Sequence, residues 1–580
     1  MLRGPGSKMG RSRFARTALC CALVFGLSAV CSAAEPAAKR STVRPVAART
    51  ATQDGRSKSD ALSLLVERRA ARLAELPPVA EPPVGDGSLQ NPLDRFIVAA
   101  WAPLAADERP TTLCDDATFA RRVYLDLIGV IPSRAELNKF LADSSSEKRT
   151  KLIDRLLDRK AEYAAHWTVF WEDALASQPV LAQGGIPTRG NYHQWLLDSF
   201  TANRPYDVML AELIDPTMPG HQKAENQDLF GTKYQVEFVR NEDHTVTLQT
   251  AAAVGQVFLS TAMKCASCHD HFENAAWTQD RFLGFAGLFA PRDLERIRCD
   301  VHSGKHVAAR FPFELPGPAL EIPSQLDDRL HVAALLIVDP ANELFAKSIV
   351  NRLWKRYLGW GLFEPVDDYR PDREASHTAL LDWLARDFVA HGCDLKHTIR
   401  LILNSRTYQM PYEPKFADRY DAADPSAPRY FRSPALRRLT AEQVIDSLRM
   451  AANGQLQPGE RAFLDARTTA LASVLGRPAS RNEISTARSD ESAVVQALEL
   501  LNGPEIQDLI DSSVLVAQPA GKPDPKTLVD RLYRSVLSRP ATLEEKRLGQ
   551  ALLGASPTLS DGLKDICWAL VVSPEFQFIK

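Results

Sequence analysis

The feature that most limits the fold is a helical period in the apolar residues, which runs with few breaks from Asn91 to the end of the chain. Phe119, Val123, Leu127 and Ile128 recur three and four apart, the spacing that places side chains on one helical face. That helix stops near Gly129, and Pro132-Ser133 starts another. Ser133 and Glu136 form a capping box, in which each side chain satisfies a free backbone N–H. Ser144 and Glu147 are expected to do the same for a helix carrying Leu152, Ile153, Leu156 and Leu157. A helix over 341–358 carries Phe345, Ile349, Leu353, Trp354 and Tyr357, with Gly359 as its C-cap. Ser376 is expected to cap a further helix that Gly392 ends.

Arg122-Val123-Tyr124 and Arg531-Leu532-Tyr533 are each followed by a Pro (Pro132, Pro540), then a capping Ser or Thr and a Glu. A second unit recurs at Leu156 to Tyr163, Leu401 to Tyr408 and Leu570 to Phe576. The periods are irregular, which excludes a solenoid. Residues 294–328 are rich in Pro and Gly and alternate in polarity, for example His306-Val307-Ala308-Ala309-Arg310-Phe311. The expected fold is mainly α: two helical lobes, 91–293 and 329–580, joined by an irregular, partly β connector at 294–328. Composition agrees with a globular chain, at 580 residues and 45% hydrophobic, and excludes a disordered, collagen-like or disulfide-scaffold protein.

The first 34 residues stand apart. Arg3, Lys8, Arg11, Arg13 and Arg16 precede an apolar run from Ala18 to Val30, and Cys31-Ser32-Ala33-Ala34 suits signal peptidase. The run is shorter than the roughly 20 residues of a spanning helix. Val30 is a poor residue before a lipid-anchored Cys31. The expectation is an exported protein, periplasmic or extracellular, with no integral membrane segment once the signal is removed. Residues 35–90 read as a disordered tether with a short helix over 59–76 and a Pro-rich linker. The net charge of −2 offers no basic field for nucleic acid. Without residues 1–34 it becomes about −7, because five basic residues and no acid leave.

Cys265-Ala266-Ser267-Cys268-His269 is the attachment signature of a c-type haem. Two thiols three residues apart reach two vinyl groups of one porphyrin, and the next imidazole turns to the iron. Met209, Met218, Met263, His271, His302 and His306 are the candidates for the other axial position. A rival reading uses Cys299, His302 and His306 with Cys265, Cys268, His269 and His271 as a tetrahedral site for zinc or another divalent metal. A third joins Cys265 to Cys268, or one of them to Cys299, in a disulfide. A second candidate is the loop Glu364-Pro365-Val366-Asp367-Asp368-Tyr369-Arg370-Pro371-Asp372. Its carboxylates suit a cation or acid–base work, with Asp367, Asp368 and Arg370 as candidate catalytic residues. Against this, Asp367 and Asp368 beside Arg352, Arg370 and Arg373 suit capping or ion pairs. Trp167, Phe170, Trp171, Tyr192 and Trp195 read as core, with His166 and His193 as satisfied partners. His377, His391 and His397 suit helix ends. Cys114, Cys393 and Cys567 read as buried or paired. No G-x-S-x-G, Walker A, G-x-G-x-x-G, H-E-x-x-H or EF-hand pattern occurs.

Several of these stretches carry a resemblance. Leu93 to Ile97, Arg121 to Gly129, His166 to Asp173 and Lys264 to His271 resemble the first of two paired domains of unknown function (1549 and 1553). The pair is known from large secreted proteins of planctomycete-type bacteria and is cytochrome-associated. Ile349 to Trp354, Gly361 to Arg370, Asp394-Leu395-Lys396, Ser405 to Tyr408, Leu537 to Pro540 and Ser573 to Phe576 resemble the second. The resemblance implies export and a functional cysteine site. Phe272-Glu273-Asn274-Ala275-Ala276 departs from the family's aromatic-Asp-Pro continuation. Three functions are therefore in play: a c-type haem protein in electron transfer or redox sensing, with a redox partner protein; a metal-dependent enzyme or binding module acting on extracellular polymers; and a structural or assembly protein in which the cysteines make a disulfide.

Overall fold

The computed structural model of the chain describes residues 58–84, 89–175, 192–221, 243–298, 301–317, 319–370, 375–418, 428–465, 468–478, 484–486, 488, 494–517, 521 and 523–580. Residues 1–57, on which the expected export signal and tether fall, Cys299 and Asp372 lie outside them. Among the described residues helices carry the fold, and the only sheets are two antiparallel pairs of strands. Leu294–Arg298 pairs with Val301–Val307 in the connector, with a bulge between Glu295 and Ile297. Arg437–Arg438 pairs with Phe578–Ile579 near the chain's end. The mainly α reading with a partly β connector holds.

The repeated unit is visible in the geometry. Helix Asp116–Ile128 ends on Gly129 at φ +72°, and the Ser133–Glu136 box opens helix Arg134–Ala142. Helix Pro525–Val536 is followed by Ser538 at φ +59°, and a Thr542–Glu545 box opens helix Leu543–Ala555. The second unit carries a serine cap at two of its three occurrences. Ser405 caps Arg406–Gln409, and Ser573 caps Pro574–Gln577. Two capping expectations fail. Ser144 does not pair with Glu147: Ser145 Oγ takes the Glu147 N–H at 3.3 Å, held in place by its own N–H on Asp143, so helix Lys148–Leu157 starts without a side-chain cap. Ser376 does not cap helix Thr378–Ala390 either. Its Oγ accepts from Arg429, and the cap position falls to His377.

Helix Glu343–Leu358 is largely enclosed, with Ile349, Trp354 and Tyr357 fully buried and Gly359 closing it at φ +89°. It packs on helices Asp243–Leu259 and Thr378–Ala390. The two lobes share one hydrophobic core, in which Phe119, Trp167 and Phe258 join Ile349, Phe388 and Ile399. Buried polar groups also cross. Asp126 takes both arms of Arg437 at 2.6 and 2.8 Å and the Tyr408 hydroxyl at 2.8 Å. Arg122 donates to the carbonyls of Tyr408, Met410 and Lys580. Asp94 receives the N–H groups of Arg406 and Thr407. Groups buried this deeply need full pairing, so each lobe completes the other's interior.

Candidate functional site

The Cys265–His269 turn follows helix Asp243–Leu259 because of a small residue inside that helix. A Cβ on Gly255 would stand 2.3 Å from Met263 Cε, so the glycine leaves the fully buried Met263 side chain its place against the helix. Thr261 N–H closes the reversal on the Gly255 carbonyl at 2.9 Å. The short helical turn Lys264–Ser267 then presents Cys265 and Cys268 to solvent as free thiols. They are not joined to each other in a disulfide. His269 Nδ1 meets the Asp270 carbonyl at 2.7 Å, and its ring lies 4.1 Å from that of Phe272, which is 84% exposed. His271 Nδ1 accepts the N–H groups of Glu273 and Asn274, which leaves the ring proton on Nε2.

A buried glutamine that the sequence reading missed holds this turn. Gln279 donates from Nε2 to the carbonyls of Ser267 and Ile297 and accepts from Arg296. Its N–H goes to Asp270 Oδ1 at 2.8 Å. The turn, helix Gln279–Ala286 and the hairpin are thereby one unit. His302 faces solvent and bonds Glu295 at 2.8 Å, and this bond, with the Gly304 N–H, holds the Glu295 carboxyl below its usual range. His306 lies opposite Glu295 in the strand register. Among the described residues, no three of Cys265, Cys268, His269, His271, His302 and His306 bring ligand atoms within 4.8 Å. The group that does is Asp387, His391 and His397, whose two imidazoles stack at 3.7 Å and face one carboxylate. His391 also bonds the Asp387 carbonyl, the helix-end role expected of it. Met209, Met218 and Met263 are buried in the core.

The acidic loop sits beside this turn, a juxtaposition that sequence did not reveal. Arg370 reaches Glu273 at 2.5 Å, and Tyr369 N–H bonds the Ser260 carbonyl at 2.7 Å. Within the loop, Asp367 pairs with Arg352 at 2.6 Å and receives Gln256 and Thr486. Asp368 pairs with Arg370 at 2.6 Å, and Glu364 with Lys355 at 3.0 Å. The hydrogen bonds to Asp368, first, and to Glu273 raise the Arg370 pKa. Asp368 and Arg370 are thus paired with each other and Asp367 with Arg352, the structural arrangement that sequence allowed.

A third feature lies between helices Lys160–Ala174 and Glu343–Leu358. A cavity of about 230 Å³ is lined by His166, Phe170 and Asp173 from the first and Arg352, Lys355 and Arg356 from the second. The i, i+3, i+4 and i+7 spacing of His166, Val169, Phe170 and Asp173 is the signal that marks this face. His166 Nε2 accepts from Arg356 Nη2 at 2.8 Å. Burial, with Arg356 and Arg461 nearby, pushes the His166 pKa well below its ordinary value, so the ring is neutral. Trp167, Trp171 and Trp195 are core residues as expected, Trp171 stacking on Phe200 and Phe258. The Tyr192 side chain lies outside the described residues.

The fold and this cysteine turn define a mainly helical chain built from two matched segments. Residues 92–293 match the family PSCyt2, a protein of unknown function (DUF1549), and residues 328–465 match PSD1, a protein of unknown function (DUF1553). The chain belongs to the proteins that carry these two domains in this order. No curated protein and no solved structure matches it.

Proposed function

We propose that the chain is an exported c-type haem protein that exchanges single electrons with a redox partner protein. Cys265 and Cys268 would hold the group by thioether bonds, and His269 Nε2 would ligate the iron. A c-type haem so held supplies a one-electron couple. The observation that carries this reading is the state of His269. Its Nδ1 is occupied by the Asp270 carbonyl, which orients the ring and keeps Nε2 as the free ligand atom. The two free, exposed thiols stand on the same turn, and the exposed Phe272 ring beside His269 is apolar surface that a porphyrin would cover. Gln279 and Arg370 pin the turn from two sides, which limits the rearrangement of the ligands between redox states. Exposure of the turn leaves room for a partner to approach.

The basic, apolar and small-residue order of residues 1–34 supports export. Among the described residues, no helix is long and apolar enough to cross a membrane. The test is production of the full chain in a bacterial periplasm with haem-maturation machinery. The expected result is a Soret band and a covalent haem adduct by mass spectrometry, both lost in a C265S/C268S variant. A folded, colourless protein without adduct would overturn the proposal. Fractionation checks export, the processed chain being expected outside the cytoplasm.

A further inference from the structure

The cavity between helices Lys160–Ala174 and Glu343–Leu358 holds five cationic side chains, and four of them have carboxylate partners. Arg352 pairs with Asp367, and Lys355 with Glu364. Arg461 pairs with Asp446 at 2.5 Å, and Arg488 with Asp173 and Glu442 at 2.6 Å each. Arg356 differs. Among the described residues no carboxylate lies within ion-pair distance of it, and its guanidinium meets only the neutral His166 ring and two aromatic faces, Trp167 at 4.7 Å and Phe170 at 5.5 Å. Asp126, the acid that acts on it from farther off, is already spent on both arms of Arg437. An arginine stays charged, and holding even a half-buried guanidinium against a cavity wall without a counter-ion carries a desolvation cost. The aromatic faces offset only part of that cost.

We infer that the cavity is a binding site for a small organic acid whose carboxylate is the missing counter-ion of Arg356. A planar guanidinium presents its N–H groups as a fork that a carboxylate matches with two parallel hydrogen bonds. The rest of the lining selects the body of the ligand. Val169, Phe170 and Val366 are apolar walls, so an acid with a small hydrocarbon body fits better than a fully hydrated inorganic oxyanion. The start of helix Ala441–Asn453, capped by Thr440, also borders the space, and its first-turn carboxylate Glu442 is held by Arg488. At about 230 Å³ the cavity is below the roughly 300–1,000 Å³ of pockets for drug-sized ligands, which suits an acid of the size of isovalerate or benzoate. This site is separate from the cysteine turn and does not depend on what that turn holds.

The test is calorimetry and thermal shift on the full chain with isovalerate and benzoate, each against its uncharged amide at matched ionic strength. The expected result is one acid bound per chain with a raised Tm, and no effect of the amides. In R356Q the affinity is expected to fall roughly tenfold or more, with a smaller loss in R356K, which keeps the charge but not the fork. Equal binding of acid and amide, no binding of either acid, or unchanged binding in a folded R356Q would overturn the inference. The contrast between acid and amide on the unaltered chain decides the matter even if R356Q fails to fold.

Discussion

The thiols differ by burial, and burial sets their chemistry. Cys265 and Cys268 are exposed, whereas Cys114, Cys393 and Cys567 are buried. Desolvation raises the pKa of all three buried thiols and pushes Cys567 up to about 12. The thiolate is the reactive form, so these three stay inert. In protein made without haem, pulse alkylation read by mass spectrometry is expected to modify Cys265 and Cys268 first. Cys114, Cys393 and Cys567 should react only in denaturant, and their rapid labelling in the native chain would contradict this packing. His166 makes a second prediction at this scale. Its folded pKa is depressed by burial, Arg356 and Arg461, so below about pH 6.5 the unfolded chain binds a proton that the folded chain refuses. Stability is therefore full above that pH and declines as the pH falls through and below it, by about 1.4 kcal/mol per unit. Urea titrations across pH 5–7 should show this slope, and H166N should flatten it.

At the scale of elements, the capped helices were readable because their signals are local. Ser133–Glu136, Gly129 and Gly359 each act within four residues of the helix end they mark, so pattern and structure agree. Ser144–Glu147 failed because a neighbouring serine, itself tied to Asp143, took the same N–H. That Cys265, Cys268 and His269 stand together was also legible, since their spacing alone sets them on one turn. The supports of that turn were not. Gln279 and Arg370 act from 12 and 97 residues away, and nothing in a single chain marks such partners. The cavity was hidden for the same reason, since His166 and Arg356 are 190 residues apart. Two substitutions probe this scale. S133A removes one capping bond and should cost about 1 kcal/mol in chemical denaturation. G129A should cost more, because the residue is at φ +72° and a Cβ would stand 2.3 Å from His166 Nδ1.

For the whole molecule, the crossing polar groups outweigh the domain boundaries. Asp126 is 3% exposed and its partners come from the other lobe. D126A leaves Arg437 buried without its carboxylate and should destabilise the chain by about 3–5 kcal/mol. The same reasoning predicts that residues 58–325 made alone will not give a cooperative unfolding transition, because Asp94, Arg122 and Asp126 would lose their partners. A sharp, reversible transition for that fragment would show instead that each lobe closes its own core.

The bond from Arg122 to the Lys580 carbonyl spans 458 residues. During synthesis at roughly 5–20 residues per second, that guanidinium waits on the order of 20–90 s for the acceptor to exist. Throughout that interval the first lobe carries a half-satisfied interior and open apolar surface. Arg122 is therefore satisfied only after the second matched segment has been made, so the interior of the first closes late.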